Sequence, residues 1–356
     1  MKVAIDKNSI KEIKDFTEFE YIYIFENETL EELLKLGIEF IHKDYINNID
    51  YVDINLTEYN VSCTKKTNIN DKDWKKPIAK KDYKFAIIVP NYNNDRGNYN
   101  DKTYLRNCIE NILNQTYKNF DLIIVDDMST DTSVKTIEEY KSKEEYIDKI
   151  HLIKNKRKRY NGGSRNVGID YALDNLSPDY ICFLDSDDWW TNNEVLEHIN
   201  KRLYNHHMMI LQSMMLFPSG KTSIQRNKFD NYEDIFFCVN KVWCTCWSRV
   251  IRADKIVYFC EDTLMEDRVW SYKQADNVDF DKVVNLNEVC YVWNRLNTDN
   301  SVSLVRGNIW NASAWCHIGH QLQFLENIKH KEMKPILKRR IDACISKINA
   351  GKYEQY

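Results

Sequence analysis

Long apolar runs are missing from this sequence. No stretch of its 356 residues comes close to the roughly 18 consecutive apolar residues of a membrane-spanning helix. The charged, mixed start of the chain also lacks the apolar region of a signal peptide. Neither sign of charge dominates, and a net charge of -4 gives no general attraction to nucleic acid or to an anionic membrane. We therefore expect a cytoplasmic protein without a transmembrane segment.

Metal-binding spacing is missing among the ten cysteines. The Cys-x-Cys pair, Cys244 and Cys246, has no second Cys or His pair at the distance typical of zinc sites. Cys182 lies in an apolar strand pattern and Cys108 in a helix pattern, as buried free thiols do. The cysteines therefore favour a reduced, cytoplasmic protein over a zinc protein.

The hydrophobic pattern divides the chain into three parts. Residues 1–80 read as a small N-terminal α/β extension plus linker, with strands at 21–25, 38–41 and 51–56 and a helix at 29–36. Residues 81–305 alternate buried strands with helices, which predicts an α/β domain with a mostly parallel, twisted sheet. Its predicted strands are 85–89, 120–125, 150–153 and 180–184, and its predicted helices are 103–113, 131–140 and 164–173. Residues 306–356 form a helical C-terminal segment, a candidate for homo-oligomer or peripheral-membrane contact.

Polar clusters follow the predicted strands at the edge where ligands bind to parallel sheets. They are Pro90-Asn-Tyr-Asn93, Asp126-Asp127 and Asp185-Ser-Asp-Asp188. Two carboxylates about 4 Å apart repel each other by roughly 4 kcal/mol at an effective dielectric near 20. A divalent metal holding a diphosphate would offset that repulsion at residues 185–188. The alternatives are a solvated acidic turn there and a helix-capping turn at Asp126-Asp127.

Two further groups have weaker signals. Asn161-Gly-Gly-Ser-Arg-Asn-Val-Gly168 opens a helix after a strand, and free backbone N–H groups at such a position suit an anion. This segment is neither a Walker loop nor a G-x-G-x-x-G fingerprint. Glu266-Asp267 could supply a general base if the fold brings it over the ligand edge, and is otherwise an acidic surface pair.

In this order and spacing the clusters resemble the family 2 glycosyltransferases, which have the GT-A fold, a Rossmann-like sheet flanked by helices. The similar stretches are residues 85–93, 104–117, 120–131, 161–168 and 183–188. They resemble the family's opening strand with its Pro-x-Tyr-Asn turn, its first helix, its V-D-D-G-S-T-D element, its A-R-N-x-G element and its metal motif. Val292-Trp-Asn-Arg295 and Ser301-Val-Ser303 resemble its closing stretch.

The resemblance implies a set of nucleotide-sugar-binding residues: Pro90, Tyr92, Asn93, Asp126, Arg165, Asp185 and Arg295. Among these, Asp126 would bind the base, Asp185 would approach the ribose or the metal, and Arg165 would lie near the nucleotide. Pro90, Tyr92 and Asn93 would shape the base and ribose pocket, and Arg295 would border the diphosphate.

The resemblance also implies the chemistry. Asp187 would bind Mn²⁺ or Mg²⁺ on the diphosphate, and Asp267, beside Glu266, would be the catalytic base of an inverting transfer from a nucleotide-sugar, with a UDP-sugar favoured. Three departures stand against the family pattern. Met128 replaces a usual Gly, Met265 stands where Gly often precedes Glu-Asp, and residues 95–100 form an insertion.

Two other functions remain open. A nucleotidylyltransferase shares a similar sheet and metal, but it would need a Gly-rich basic loop after the first strand, where this chain has Pro90-Asn-Tyr-Asn93. A non-catalytic sugar-nucleotide-binding module would retain Asp126 and Asp187 and could dispense with Asp267. The acceptor could be a glycan, a polymer, a protein or a modified nucleic acid base. The tryptophans that could stack on it, or else belong to the core, are Trp243, Trp247, Trp270 and Trp293.

Overall fold

The computed structural model describes residues 2–6, 21–25, 40–42, 82–157, 160–203, 205–225, 229, 231–237, 245–296 and 308–350. The chain divides into two compact units, residues 1–82 with 198–204 and residues 83–197 with 205–356. In the first unit β1 (Lys2–Asp6) lies between β2 (Tyr21–Phe25) and β3 (Phe40–His42), and both pairings are parallel. The predicted strand 21–25 is confirmed, and the strand predicted at 38–41 begins at Phe40. The predicted helix 29–36 and strand 51–56 lie outside the described residues.

The second unit has a mixed nine-stranded sheet in its described part. One half consists of the four predicted parallel strands, in the spatial order β6-β5-β4-β7. Their bounds are Phe85–Asn91 for β4, Phe120–Asp126 for β5, Ile150–Lys154 for β6 and Tyr180–Phe183 for β7. Every residue of β4 and β5 is buried. That burial explains the continuous apolar runs, because helices cover both faces of a parallel sheet.

The other half of the sheet continues from β7 in the order β11-β9-β12-β8, with β10 paired to β9. Its strands are β8 (Trp189–Trp190), β9 (Met208–Leu216), β10 (Thr222–Gln225), β11 (Arg249–Arg252) and β12 (Val283–Asn294). Strand β11 runs antiparallel to both β7 and β9, whereas β12 runs parallel to β9. These crossovers place the end of β12 beside the segment that follows β7.

Three helices connect the parallel strands. Their bounds are α1 (Tyr104–Leu113), α2 (Ser133–Lys141) and α3 (Asn161–Tyr171), and a π-helical turn, Ala172–Leu176, extends α3. Helix α1 is confirmed, with Thr103 as its N-cap. Helix α2 was predicted from Asp131 and begins at Ser133, with Thr132 at the N-cap position and the Asp131 side chain accepting from Ser133 N at 2.9 Å. Helix α3 begins three residues before its predicted start.

Five more α-helices follow α3 along the described residues. They are α4 (Val195–Arg202), α5 (Tyr232–Phe237), α6 (Glu266–Asp276), α7 (Asn308–Asn327) and α8 (Lys334–Asn349). Trp270 of α6, Ile318 of α7 and Leu337 of α8 share one buried cluster with Ile88 and Phe183 of the sheet. Each such side chain contributes about 1.5–3 kcal/mol by its burial. Among the residues that the structure describes, no helix is long and apolar enough to cross a membrane.

Candidate active site

The ends of β4 and β5 meet in register, with Asn91 opposite Asp126. The buried Asp126 carboxylate accepts from Asn91 Nδ2 at 3.2 Å and from Ser129 N at 3.1 Å. Between these contacts Met128 has a φ of 63°, in the left-handed region where Gly is usual. Asp126 therefore closes the turn after β5, and its role in binding a base stays a prediction.

The residues that follow β4 line the same edge. Pro90 is buried within β4, whereas Tyr92 is 38% exposed. Asn93 Oδ1 accepts from Thr130 N at 2.7 Å and Asn93 N donates to Ser129 Oγ at 3.0 Å, so this side chain ties the two strand-end turns together. The accessible aromatic side chain of the three is thus Tyr92, while Pro90 and Asn93 give the edge its shape.

Asp127 fixes the loop that leads into α3. Its carboxylate accepts from Asn155 Nδ2 at 2.7 Å and from Tyr160 N at 2.9 Å. The anion site at the start of α3 stays a prediction, and two glycines of this segment have a packing role. A Cβ on Gly162 would lie 2.2 Å from the Cys260 carbonyl oxygen, and one on Gly168 would lie 2.4 Å from Ile88 Cγ2. These two glycines allow α3 to pack closely against its neighbours.

Arg165, in the first turns of α3, joins the two acidic regions of the sequence. Its guanidinium is almost fully buried, and Nη2 donates to Asp185 Oδ1 at 2.7 Å. Nη1 donates to Glu266 Oε1 at 2.7 Å and lies 3.4 Å from Asp267 Oδ1. The structure therefore brings Asp185, after β7, and the Glu266-Asp267 pair, at the start of α6, around one cation. We call these four residues the Arg165 cluster.

The three carboxylates of the Arg165 cluster differ in access and in proton affinity. The side chains of Asp185 and Asp267 are each 25% exposed, whereas that of Glu266 is 7% exposed. Burial and the neighbouring Asp267 raise the pKa of Glu266 to about 8, against the opposing pull of Arg165. Burial likewise raises the pKa of Asp267, although Arg165 opposes the shift. Asp267 is therefore an accessible carboxylate with increased basicity beside a fixed positive charge.

Two neighbours of Asp267 were not predicted from the sequence. The buried Cys246 thiol hydrogen-bonds to the Asp267 carboxylate. The buried Arg249, whose Nη1 donates to Ser271 Oγ at 2.9 Å, lowers the pKa of Asp267. The Cys-x-Cys spacing is a signal of metal binding and does not indicate the hydrogen bond from Cys246 to Asp267. No local sequence pattern indicates Arg249, because its position near Asp267 depends on the pairing of β11 with β7 and β9.

The acidic residues after β7 have separate tasks. Asp188 is buried and accepts from Tyr291 Oη at 2.5 Å and from Asn294 N at 2.7 Å, so it anchors the end of β12. Burial, together with repulsion from Asp187 and Asp185, raises the pKa of Asp188. Asp187 is half-buried, and its backbone carbonyl accepts from Asn294 Nδ2 at 2.9 Å. The partly exposed Asp185 and the half-buried Asp187 are the candidate ligands at this edge.

A metal at this edge would have few protein ligands. Within the described ranges, no group of three or more His, Cys, Asp or Glu residues is arranged to hold a metal ion. Mg²⁺ in nucleotide sites typically retains waters and binds one or two carboxylates plus the phosphates of the substrate. Asp187 with Asp185 beside it fits that donor set of hard oxygen ligands.

The predicted closing stretch is described in part. Arg295 directly follows β12, its N donates to Leu216 O at 2.8 Å, and its guanidinium lies 4.7 Å from the Trp293 ring centroid. Residues 301–303 lie outside the described residues. Trp270 and Trp247 belong to the buried core, whereas Trp293 is half-buried. Trp243 also lies outside the described residues.

Comparison with known proteins identifies a domain in this chain. Residues 86–256 match the family model described as Glycosyl transferase family 2. The amylovoran biosynthesis glycosyltransferase AmsB of Erwinia amylovora is 36% identical over 121 residues, which are 34% of this chain and 36% of AmsB. The UDP-Glc:alpha-D-GlcNAc-diphosphoundecaprenol beta-1,3-glucosyltransferase WfgD of Escherichia coli is 32% identical over 125 residues, 35% of this chain and 43% of WfgD. The similarity thus spans less than half the length of either relative.

A solved structure shares the fold. The crystal structure of S. aureus TarS 1-349 in complex with UDP-GlcNAc is similar with a TM-score of 0.50 and 18% sequence identity. The similarity covers 67% of this chain and 66% of that one. The predicted GT-A fold is confirmed. Its sheet was predicted to be mostly parallel and is mixed in the residues that the structure describes.

Proposed function

We infer the activity from the family to which residues 86–256 belong, the family 2 glycosyltransferases, and propose that this chain moves a sugar from a nucleotide-diphosphate sugar to an acceptor hydroxyl. The observation that carries the proposal is the Arg165 cluster, because it joins a donor-side carboxylate, Asp185, to a candidate base, Asp267. Both side chains are partly exposed at the edge of the sheet where ligands bind.

The proposed reaction is a single inverting displacement. Asp267 takes the proton of the acceptor hydroxyl, and the acceptor oxygen forms a bond to the anomeric carbon. The bond from that carbon to the diphosphate oxygen breaks on the opposite face, and its electron pair leaves with the nucleoside diphosphate. The raised pKa of Asp267 suits this step, because a more basic carboxylate accepts a proton more readily. Arg165 and the Cys246 thiol fix the orientation of that carboxylate.

Asp187, with Asp185, would hold Mn²⁺ or Mg²⁺. Such an ion offsets the negative charge of the diphosphate when it is bound. Asp126, Tyr92 and Asn93 are the proposed contacts to base and ribose, and Arg295 is proposed to border the diphosphate. A UDP-sugar is the favoured donor, in keeping with the UDP-Glc in the name of the relative WfgD.

The substitution Asp267→Asn tests the proposal. It retains the size of the side chain and removes the proton acceptor, so we expect turnover to fall by about 10²–10⁴-fold. The assay is UDP release from UDP-glucose and from UDP-N-acetylglucosamine with a panel of saccharide acceptors. Binding of UDP, measured by calorimetry, should change by less than about twofold, because the base does not contact the nucleotide in this mechanism.

The matched control is Asp281→Asn, which alters a side chain that is 76% exposed. It should leave both turnover and UDP affinity unchanged. Full turnover in Asp267→Asn would reject Asp267 as the base. Absence of turnover in the wild-type chain, with UDP still bound, would favour a non-catalytic sugar-nucleotide-binding module.

A further inference from the structure

The turn that precedes α6 is held by the C-terminal helix α7. Ser313 Oγ accepts from Leu264 N at 2.6 Å and lies 3.0 Å from Thr263 Oγ1, which also donates to Ser313 O at 3.1 Å. Thr263 Oγ1 in turn accepts from Met265 N at 3.1 Å. Ser313 and Thr263 are both buried, so these bonds form where water does not replace them.

A second contact lies one helical turn further along α7. His317 is fully buried and hydrogen-bonds to the backbone of Met265. Residues four apart lie on the same face of a helix, so Ser313 and His317 face the turn together. Burial lowers the pKa of His317 to about 3, which leaves its ring neutral at ordinary pH. Three successive residues, 263–265, are thus bonded to one face of α7.

These bonds fix the turn directly before a helix that has no side-chain cap. Helix α6 has Met265 at its N-cap position, and no side chain there accepts from the first turn. A missing cap typically costs about 1 kcal/mol and leaves the first turn free to fray. The first turn of α6 includes Glu266 and the candidate base Asp267. Contacts from α7 on one side and from Arg165 on the other therefore determine where the base lies.

We propose that Ser313 is a positioning residue for Asp267, and that α7 is thereby part of the active-site scaffold. The inference rests on the proposed function, since it concerns the geometry of the proposed base. Ser313 does not touch substrate in this scheme; it acts by fixing the 263–265 turn. A displacement of the base by about 1 Å is enough to slow the reaction by as much as 10²-fold.

Ser313→Ala tests the proposal through kinetics. We expect kcat for UDP release to fall about tenfold or more, while KM for UDP-glucose and the affinity for UDP change by less than about twofold. Ser313→Thr restores the hydroxyl and should recover most of kcat. The control is Ser346→Ala on α8, where an exposed serine loses only its bond to Asp342 O. Its kcat should equal that of the wild-type chain.

Amide hydrogen exchange gives a second readout that needs no donor. In Ser313→Ala, exchange should rise about tenfold or more in peptides that cover residues 262–268 and stay unchanged in β4 and β5. Unchanged exchange together with wild-type kcat would overturn the proposal. Faster exchange throughout the chain would overturn it too, because Ser313 would then support the whole fold and not the turn. Failure of the proposed function has a different signature, which is full turnover in Asp267→Asn.

Discussion

At the residue scale, one buried guanidinium holds three carboxylates together. Arg165 contacts Asp185, Glu266 and Asp267. The Cζ atom of its guanidinium lies 5.4 Å from the centroid of the Phe259 ring. Removing one partner of a buried ion pair typically costs about 3–5 kcal/mol, because the remaining charge stays uncompensated. Arg165 is therefore as important for the stability of this edge as for the orientation of its acidic groups.

Glu266 gives this site a pH-dependent stability. Its pKa of about 8 in the folded chain exceeds the ordinary value of 4.5, so the folded state binds the proton more tightly than the unfolded state. The contribution is fully present below about pH 4.5 and is lost as the pH rises through about 8. Glu266→Gln retains an acceptor for Arg165 and removes this dependence. Between pH 5 and 8.5 we expect the wild-type unfolding free energy to fall by a few kcal/mol more than that of the variant, since one pKa unit corresponds to about 1.4 kcal/mol.

Urea unfolding at several pH values measures this difference. The control is Glu138→Gln on α2, an exposed side chain, for which the two pH curves should run parallel. Parallel curves for Glu266→Gln would show that Glu266 does not hold its proton in the folded chain.

The sequence predicted the acidic residues of the site but not the different contacts that each of them makes. It indicated that the segment after β7 carries three carboxylates. The distinction between Asp188, an anchor of β12, and Asp187, a candidate ligand, depends on Tyr291 and Asn294, which come about a hundred residues later. Arg165 was expected near the nucleotide, and its bonds to Glu266 and Asp267 became visible only in the folded chain.

At the element scale, the hydrophobic pattern of the sequence predicted the strands of the parallel half of the sheet. Strands β4, β5, β6 and β7 were recognised because their residues form continuous apolar runs. The mixed half of the sheet was not predicted, because β9, β11 and β12 pair across long separations in a mixed aromatic sequence. Helix α3 was predicted from Ser164 and begins at Asn161, so its first turn includes Gly162. A Cβ on Gly162 would lie 2.2 Å from the Cys260 carbonyl oxygen, so glycine is needed there for close packing.

Two glycine substitutions test that explanation. Gly162→Ala places a methyl group 2.2 Å from a backbone carbonyl that cannot move independently, so we expect a loss of about 1–3 kcal/mol in unfolding free energy. Gly319→Ala, in α7, meets nothing within 4 Å and should stabilise the chain by about 1 kcal/mol through helix propensity. Thermal unfolding compares the pair. Similar effects of both substitutions would mean that the packing of α3 against Cys260 is loose.

At the scale of the whole molecule, donor and metal binding should stabilise the folded chain together. Ligands that bind only the native state raise the melting temperature. We expect UDP-glucose and Mn²⁺ together to raise the melting temperature by more than the sum of the two shifts measured with each ligand alone. Asp187→Ala or a chelator should remove that excess, because the carboxylate that shares the ion with the diphosphate is then lost.

The comparison variant for this measurement is Asp281→Asn, which should behave like the wild-type chain. A melting-temperature shift with UDP-glucose that is the same with Mn²⁺ and with chelator would contradict the metal role of Asp187. A panel that adds GDP-mannose and dTDP-glucose compares nucleotides at the same time, and the largest shift indicates the preferred base.

A helical segment was predicted for residues 306–356, and α7 and α8 lie within it. Their place in the core could not be predicted from the sequence. Ile318 of α7 and Leu337 of α8 pack in one buried cluster with residues of the sheet that lie more than a hundred positions earlier in the chain. Helical periodicity indicates which face is apolar but not which surface covers it.

The double role of Arg165 has a consequence for altering this protein by design. Under the proposed mechanism, a substitution that alters donor recognition at Asp185 also alters proton transfer at Asp267, since both carboxylates contact the same buried cation. Variant libraries aimed at a new donor therefore have most freedom at positions outside the Arg165 cluster, such as Tyr92 and Tyr160, whose side chains are exposed. In libraries that include position 165, each substitution would change donor selectivity and the rate of transfer together, and most variants would lose both donor recognition and turnover.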